Sequence, residues 1–351
     1  MAGRLFRISD KPFGSKLFTN LVHYVRSGDF VESLIRNARD PNEYAFALGA
    51  LAHYASDNAG HAISVNRALP IEYPRLRAKF GDEVLFAEAP ARHLMLEFAF
   101  DVYQIGAAGY ASQAYRDFIG FEVAKSLLAR ASKETYALDL DELFPNQDMA
   151  IGTYRHAIST TIPHLTLLAW KDKQKEIRAR TPGIERSRFV FTFTQVEYDR
   201  TFGTTYKKPG LLSRFVVVLF KILPKFGAFR TLAFKPLTPE TAKLFVESFE
   251  AARERYRASL QSLLRNRGSV ANTDLDTGRA PVRAHNTLLE ETYADLLAKL
   301  AKRQFAGVPL ALRADIVRHY AAPLTVQLTR KERKVEEGAR RDLATLQANA
   351  R

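Results

Sequence analysis

The run Arg39-Asp40-Pro41-Asn42-Glu43-Tyr44-Ala45 constrains the fold of this chain more than any other. Asp40 can cap a helix, Pro41 suits its first turn because a proline there forfeits no hydrogen bond, and Glu43 stands where a capping box places its carboxylate. An alanine-rich segment follows. Within it, His53, Asp57 and His61 recur at intervals of four. Residues four apart on an α-helix differ by about 40° around the axis, so the spacing predicts one stripe of ligand-capable side chains. Gly60 offers a stop just before His61.

Similar punctuation recurs along the chain. A second helix is expected from Pro90 to Gly106, and a third and fourth in the stretches 113–132 and 148–170, the fourth bent or ended at Pro163. Thr238-Pro239-Glu240 opens an amphipathic helix to about Leu264, residues 266–281 read as a loop, and 286–305 are helical again. Phe189–Thr194 alternates like a short strand, although Thr194 and Glu197 also suit a helix start. The tail from Thr329 is charge-rich, a solvated helix or a frayed end. The fold class is mainly α: a multi-helix bundle followed by a second helical region. The charged stretch Lys171–Arg188 is the best boundary, giving domains 1–170 and 171–351.

Composition decides what such helices can hold. The chain has 351 residues, 46% of them apolar, and no cysteine. Disulfides and thiolate metal sites are thereby excluded, and a transition metal must be held by His, Asp or Glu. The net charge of +14 is unevenly placed: residues 1–150 contain 16 Lys/Arg against 19 Asp/Glu, the remainder 36 against 19. A basic second half favours an anionic surface, unless the charge serves only solubility. No segment reaches the roughly 18–20 apolar residues of a spanning helix or the pattern of a secretory signal, so localisation is not assigned. Leu211–Leu223, bounded by lysines and followed by Phe226 and Phe229, suits a core helix or one lying in a membrane interface.

The second candidate helix carries His93 and Glu97, again four apart, flanked by Leu94-Met95-Leu96 and Phe98-Ala99-Phe100. A carboxylate on an apolar face is expensive unless a cation or an arginine such as Arg92 compensates it. The segments His53–His61 and His93–Glu97, with Leu17–Arg26 upstream, resemble the zinc-dependent phospholipase C family. The likeness is to its short-spaced branch, which includes glycosylphosphatidylinositol-specific phospholipase D, and more distantly to fungal single-strand nucleases. The resemblance implies a phospholipase C/nuclease-like bundle in which His53 and Asp57 bind one zinc with His23 and Asp10. His61, His93 and Glu97 would bind a second ion that keeps a water position open. A histidine-bearing N-terminal segment completes a third site in the family, and the sequence begins too close to Asp10 to supply it.

Such a site suits phosphodiester hydrolysis, with Asp57 as the candidate catalytic residue that bridges ions or orients the attacking water. No Ser-His-Asp order, phosphate-cradling glycine loop or dinucleotide fingerprint competes with it. The expected substrate is a phospholipid or related phosphodiester at an anionic membrane surface. Two alternatives stay open: a non-enzymatic, metal-stabilised, membrane-associated protein, and a single-strand nuclease. Nucleic acid is the weaker partner, because the basic half shows no stacking or groove-reading motif. His156, His164, His285 and His319 read as structural.

Overall fold

The structure is a computed structural model that describes residues 15–106, 123–156, parts of 167–190, 237–265, 269–324 and 327–348. Helices make up most of these, and the described residues contain no strand beyond an isolated bridge between Asp274 and Arg279. Asp10, His164, Leu211–Leu223 and Phe191–Thr194 lie outside the described residues. The chain divides into two compact units. One comprises residues 15–62, 124–143 and 248–351; the other comprises 1–14, 63–123 and 144–247.

In chain order the helices are α1 (Lys16–Tyr24), α2 (Ser27–Asn37), α3 (Pro41–Ala59), α4 (Asn66–Glu72), α5 (Pro74–Phe80) and α6 (Pro90–Gly106). They continue as α7 (Lys125–Tyr136), α8 (Leu140–Leu143), α9 (Gln147–His156), α10 (Arg186–Phe189), α11 (Pro239–Leu264), α12 (Thr287–Lys302), α13 (Leu310–Ala321) and α14 (Arg330–Ala348). No described helix is long and apolar enough to cross a membrane.

The start of α3 follows the chemistry expected of it. Asp40 Oδ1 accepts from the amides of Asn42 and Glu43, both at 2.9 Å, and Pro41 occupies the first turn. The return bond differs from a standard capping box: Glu43 accepts from the amide of Arg39, one residue before the cap, and also from the guanidinium of Arg130 on α7. Its carboxyl is lowered from its ordinary range, first by Arg130 and then by the Arg39 amide.

Gly60 does not stop the helix. Its backbone is right-handed helical, φ −60° and ψ −48°, and the chain passes through a π-helical turn, Gly60–Val65, directly into α4. A glycine inside a helix costs only about 1 kcal/mol relative to alanine, which the surrounding packing overrides. The wider turn slips the hydrogen-bond register, so His61 leaves the stripe that His53 and Asp57 share.

The first unit is built around α1, α2, α3, α7 and α12. Phe30 of α2 stacks on Tyr136 of α7 at 5.6 Å, and the buried Tyr136 hydroxyl donates to the Val25 carbonyl at 3.0 Å. Burying a tyrosine is favourable when its hydroxyl keeps a partner, and this one does. Glu134 of α7 accepts from Ser33, Arg36 and Asn37, gathering one end of α2. A second anchor is buried Arg283, which donates to the Tyr320 and Ala322 carbonyls and to Glu336 and sits 3.5 Å from Glu290. His319 lies 3.3 Å from Glu290 and stacks on Tyr293 at 3.7 Å, the structural role expected of it.

The other unit has a separate apolar core. Val65, Ala68 and Leu69 pack with Val84, Leu96, Ala99 and Phe100, with Leu237 and with Leu244 of α11, whose start at Pro239 matches the sequence. Phe100 stacks on Phe245 at 4.8 Å. Buried Glu72 closes the end of α4 by accepting from the Thr238 amide and the Thr241 hydroxyl.

Candidate metal centre

Two helices of the first unit, α1 and α3, bring His23, His53 and Asp57 to one point. His23 sits near the end of α1, and its Nδ1–H donates to the Thr19 carbonyl at 2.5 Å. A carbonyl can only accept, so this bond fixes the tautomer and leaves the Nε2 lone pair aimed away from its own helix. That Nε2 lies 3.2 Å from Asp57 Oδ2, and His53 Nε2 lies 3.4 Å from the same oxygen, across one turn of α3. The three ligand atoms all fall within 4.8 Å of one another. Donors bound at about 2.0–2.1 Å around a tetrahedral zinc stand roughly 3.3 Å apart, and the two observed separations match that spacing.

The environment of Asp57 suits a ligand. Burial pushes its carboxyl up, but the charges that His53, His61 and His23 carry when protonated, and the hydrogen bond that a protonated His23 donates from Nε2, outweigh it and hold Asp57 well below the usual carboxylate range. It stays ionised, the form that binds metal. His53 is half exposed, with 49% of its side chain open, so the site keeps an approach from solvent.

His61 turns elsewhere. Its Nδ1 is 3.3 Å from Asp276 Oδ1, and both side chains are buried. Asp276 belongs to the loop between α11 and α12, a partner absent from the expected ligand set. The one signal for it was Asp274-Leu275-Asp276-Thr277-Gly278, two carboxylates ahead of a glycine in a segment read simply as a loop. Asp274 shapes this turn. Its Oδ1 accepts from the Asp276 amide at 2.9 Å, and its Oδ2 accepts from the Asn286 amide group at 3.0 Å while Asn286 Oδ1 caps α12 through Leu288. Burial, then the neighbouring Asp276 charge, pushes Asp274 up to about 6 against these hydrogen bonds.

In the other unit, His93 and Glu97 lie on one face of α6, with Nδ1 and Oε1 4.0 Å apart and both residues buried. His93 Nε2–H donates to the Val84 carbonyl at 2.7 Å, leaving Nδ1 as the lone-pair nitrogen toward Glu97. The spacing of four therefore does bring these two together. Arg92, the alternative partner for Glu97, instead packs over the Tyr73 ring.

Donors confined to imidazole nitrogen and carboxylate oxygen, two of the imidazoles oriented by backbone carbonyls, fit a borderline ion such as zinc. Comparison with curated proteins and with solved structures finds no match. A family model described as zinc dependent phospholipase C matches residues 8–145, a span that contains His23, His53, Asp57, His61, His93 and Glu97 and excludes Asp276. Over residues 8–145 the chain is therefore similar to the zinc dependent phospholipase C family.

Proposed function

We propose that the protein is a zinc-dependent phosphodiesterase of the phospholipase C type, acting on phospholipid or a closely related phosphodiester. The observation that carries this is the convergence of His23, His53 and Asp57, at separations a single zinc ion spans, within a segment similar to that family. The four-residue step from Asp57 to His61 supports the short-spaced branch. Two ions accord with His61, which pairs elsewhere, and with the buried His93 and Glu97.

Zinc, when bound, supplies a Lewis acid that polarises the phosphoryl oxygens and acidifies a water. The side chains do the rest. Thr19 holds His23 in the one tautomer that presents Nε2, so that imidazole is pre-oriented. Asp57, kept ionised by its neighbouring histidines, accepts a hydrogen bond from the attacking water and aligns it. The exposed edge of His53 leaves room for a headgroup to enter. The basic residues beyond 150 favour an anionic lipid surface as the place of action.

Hydrolysis of a chromogenic phosphorylcholine ester and of phosphatidylcholine vesicles tests this. The zinc-loaded protein turns over at least one of them, a chelator stops turnover, added zinc restores it, and the double change His23→Ala with His53→Ala removes it. Zinc-loaded protein that hydrolyses neither, yet melts lower on chelation, would instead be a metal-stabilised protein without phospholipase activity.

A further inference from the structure

We propose that the loop 270–278, which lies outside the family-matched segment, supplies Asp276 as a zinc ligand beside His61. This rests on the metal-binding function proposed above and adds to it a donor from the distal part of the chain. Asp276 Oδ1 stands 3.3 Å from His61 Nδ1, the spacing of two donors on one ion, and Asp276 is completely buried. Asp274, two residues earlier, is buried as well. Two sequestered carboxylates need positive compensation, and a divalent cation held with His61 provides more of it than one imidazole.

The loop is fixed to the helices that bear the ligands. The Leu275 amide donates to the carbonyl of His23 itself at 2.9 Å, so the backbone next to Asp276 is bonded to a metal-site histidine. Ser27 donates to the Thr273 carbonyl at 2.6 Å, Tyr54 to the Ala271 carbonyl at 2.6 Å, and the Asp29 amide to Asn272 at 3.0 Å. Two glycines permit the approach. A Cβ on Gly28 would lie 2.2 Å from the Val270 carbonyl oxygen, and one on Gly278 would lie 2.6 Å from that of Asn58. Those contacts are with backbone, which no side-chain rotation relieves. A loop held this closely against α1, α2 and α3 positions its carboxylate as firmly as a helix would.

The test uses the full chain with zinc, and with cobalt(II) as a spectroscopic substitute. Zinc affinity is measured by competition with a chelator for wild type, Asp276→Asn, Asp276→Glu and His53→Ala. Asp276→Asn is expected to weaken zinc at one site at least about tenfold and to alter the visible cobalt bands, while Asp276→Glu, which keeps the carboxylate, restores both. Hydrogen exchange of wild type with and without zinc gives a reading that needs no variant: amides in 270–278 should slow when zinc binds. Unchanged zinc affinity and cobalt spectrum in Asp276→Asn, or loop exchange indifferent to zinc, would overturn the ligand and leave an ion pair with His61. In that case His53→Ala would still lose zinc and the proposed function would stand; wild type that binds no zinc would remove both.

Discussion

Replacing Gly278 by alanine perturbs the junction of the distal loop with α3 without substituting any candidate ligand. Gly278 has φ +67°, and its added methyl would meet the Asn58 carbonyl oxygen at 2.6 Å and the Ala62 side chain at 3.0 Å. Left-handed backbone costs a non-glycine residue about 1–2 kcal/mol. Relieving the clash requires the loop to withdraw, weakening bonds such as Gly278 N to Asp274 O at 2.8 Å and Leu275 N to His23 O at 2.9 Å. Each such bond is worth about 0.5–1.5 kcal/mol net. Against this, alanine restricts the unfolded chain and returns about 0.4–1 kcal/mol. The balance is a loss of about 2–3 kcal/mol for Gly278→Ala, read from urea unfolding. Gly49→Ala is the matched control. Gly49 lies on the exposed face of α3 with nothing near its Cβ position, so helix propensity alone predicts a gain of about 0.5–1 kcal/mol. Gly278→Ala no less stable than wild type would refute the close packing of loop and helix.

Other outcomes follow from the same structure. Truncating Arg283 to alanine leaves Glu290 and Glu336 facing a partly buried site without their shared cation, and a loss of about 3–5 kcal/mol in thermal or chemical unfolding is expected. Tyr136→Phe strands the Val25 carbonyl and should cost about 1–3 kcal/mol, with the stack on Phe30 retained; a neutral result would argue against that buried bond. Burial raises the Glu290 carboxyl, but the His319 hydrogen bond and charge, the Ala284 amide and Arg283 together bring it below its ordinary range. A depressed carboxylate contributes stability that is present above its unfolded pKa and lost as pH falls through the folded one, so Glu290→Gln should flatten the acid limb of stability against pH below about 4.5. An acid limb identical to wild type would contradict this.

Where local side-chain chemistry sets the outcome, the sequence was a sound guide. Asp40 and Pro41 start α3 as their chemistry requires, Asn286 caps α12, Pro239 opens α11, and the spacings of four bring His53 to Asp57 and His93 to Glu97. His23 meets them because α1 ends beside α3, which the family resemblance implied and periodicity alone did not. Two features were illegible for a physical reason. The π-turn at Gly60–Val65 is a slip of backbone hydrogen bonds, and side-chain periodicity carries no trace of it, so His61 looked like a third member of the stripe. Asp276 reaches His61 through loop closure between segments far apart in the chain, held by glycines whose packing becomes visible only in three dimensions.

Zinc K-edge X-ray absorption on the purified protein reads the metal's ligands themselves. The expected spectrum has a first shell of nitrogen and oxygen at about 2.0–2.1 Å, without sulfur, whose imidazole scattering falls when His23 and His53 are both replaced by alanine while the circular dichroism stays helical. An imidazole signal that the double variant leaves intact, or zinc surrounded by water oxygens alone, would contradict it.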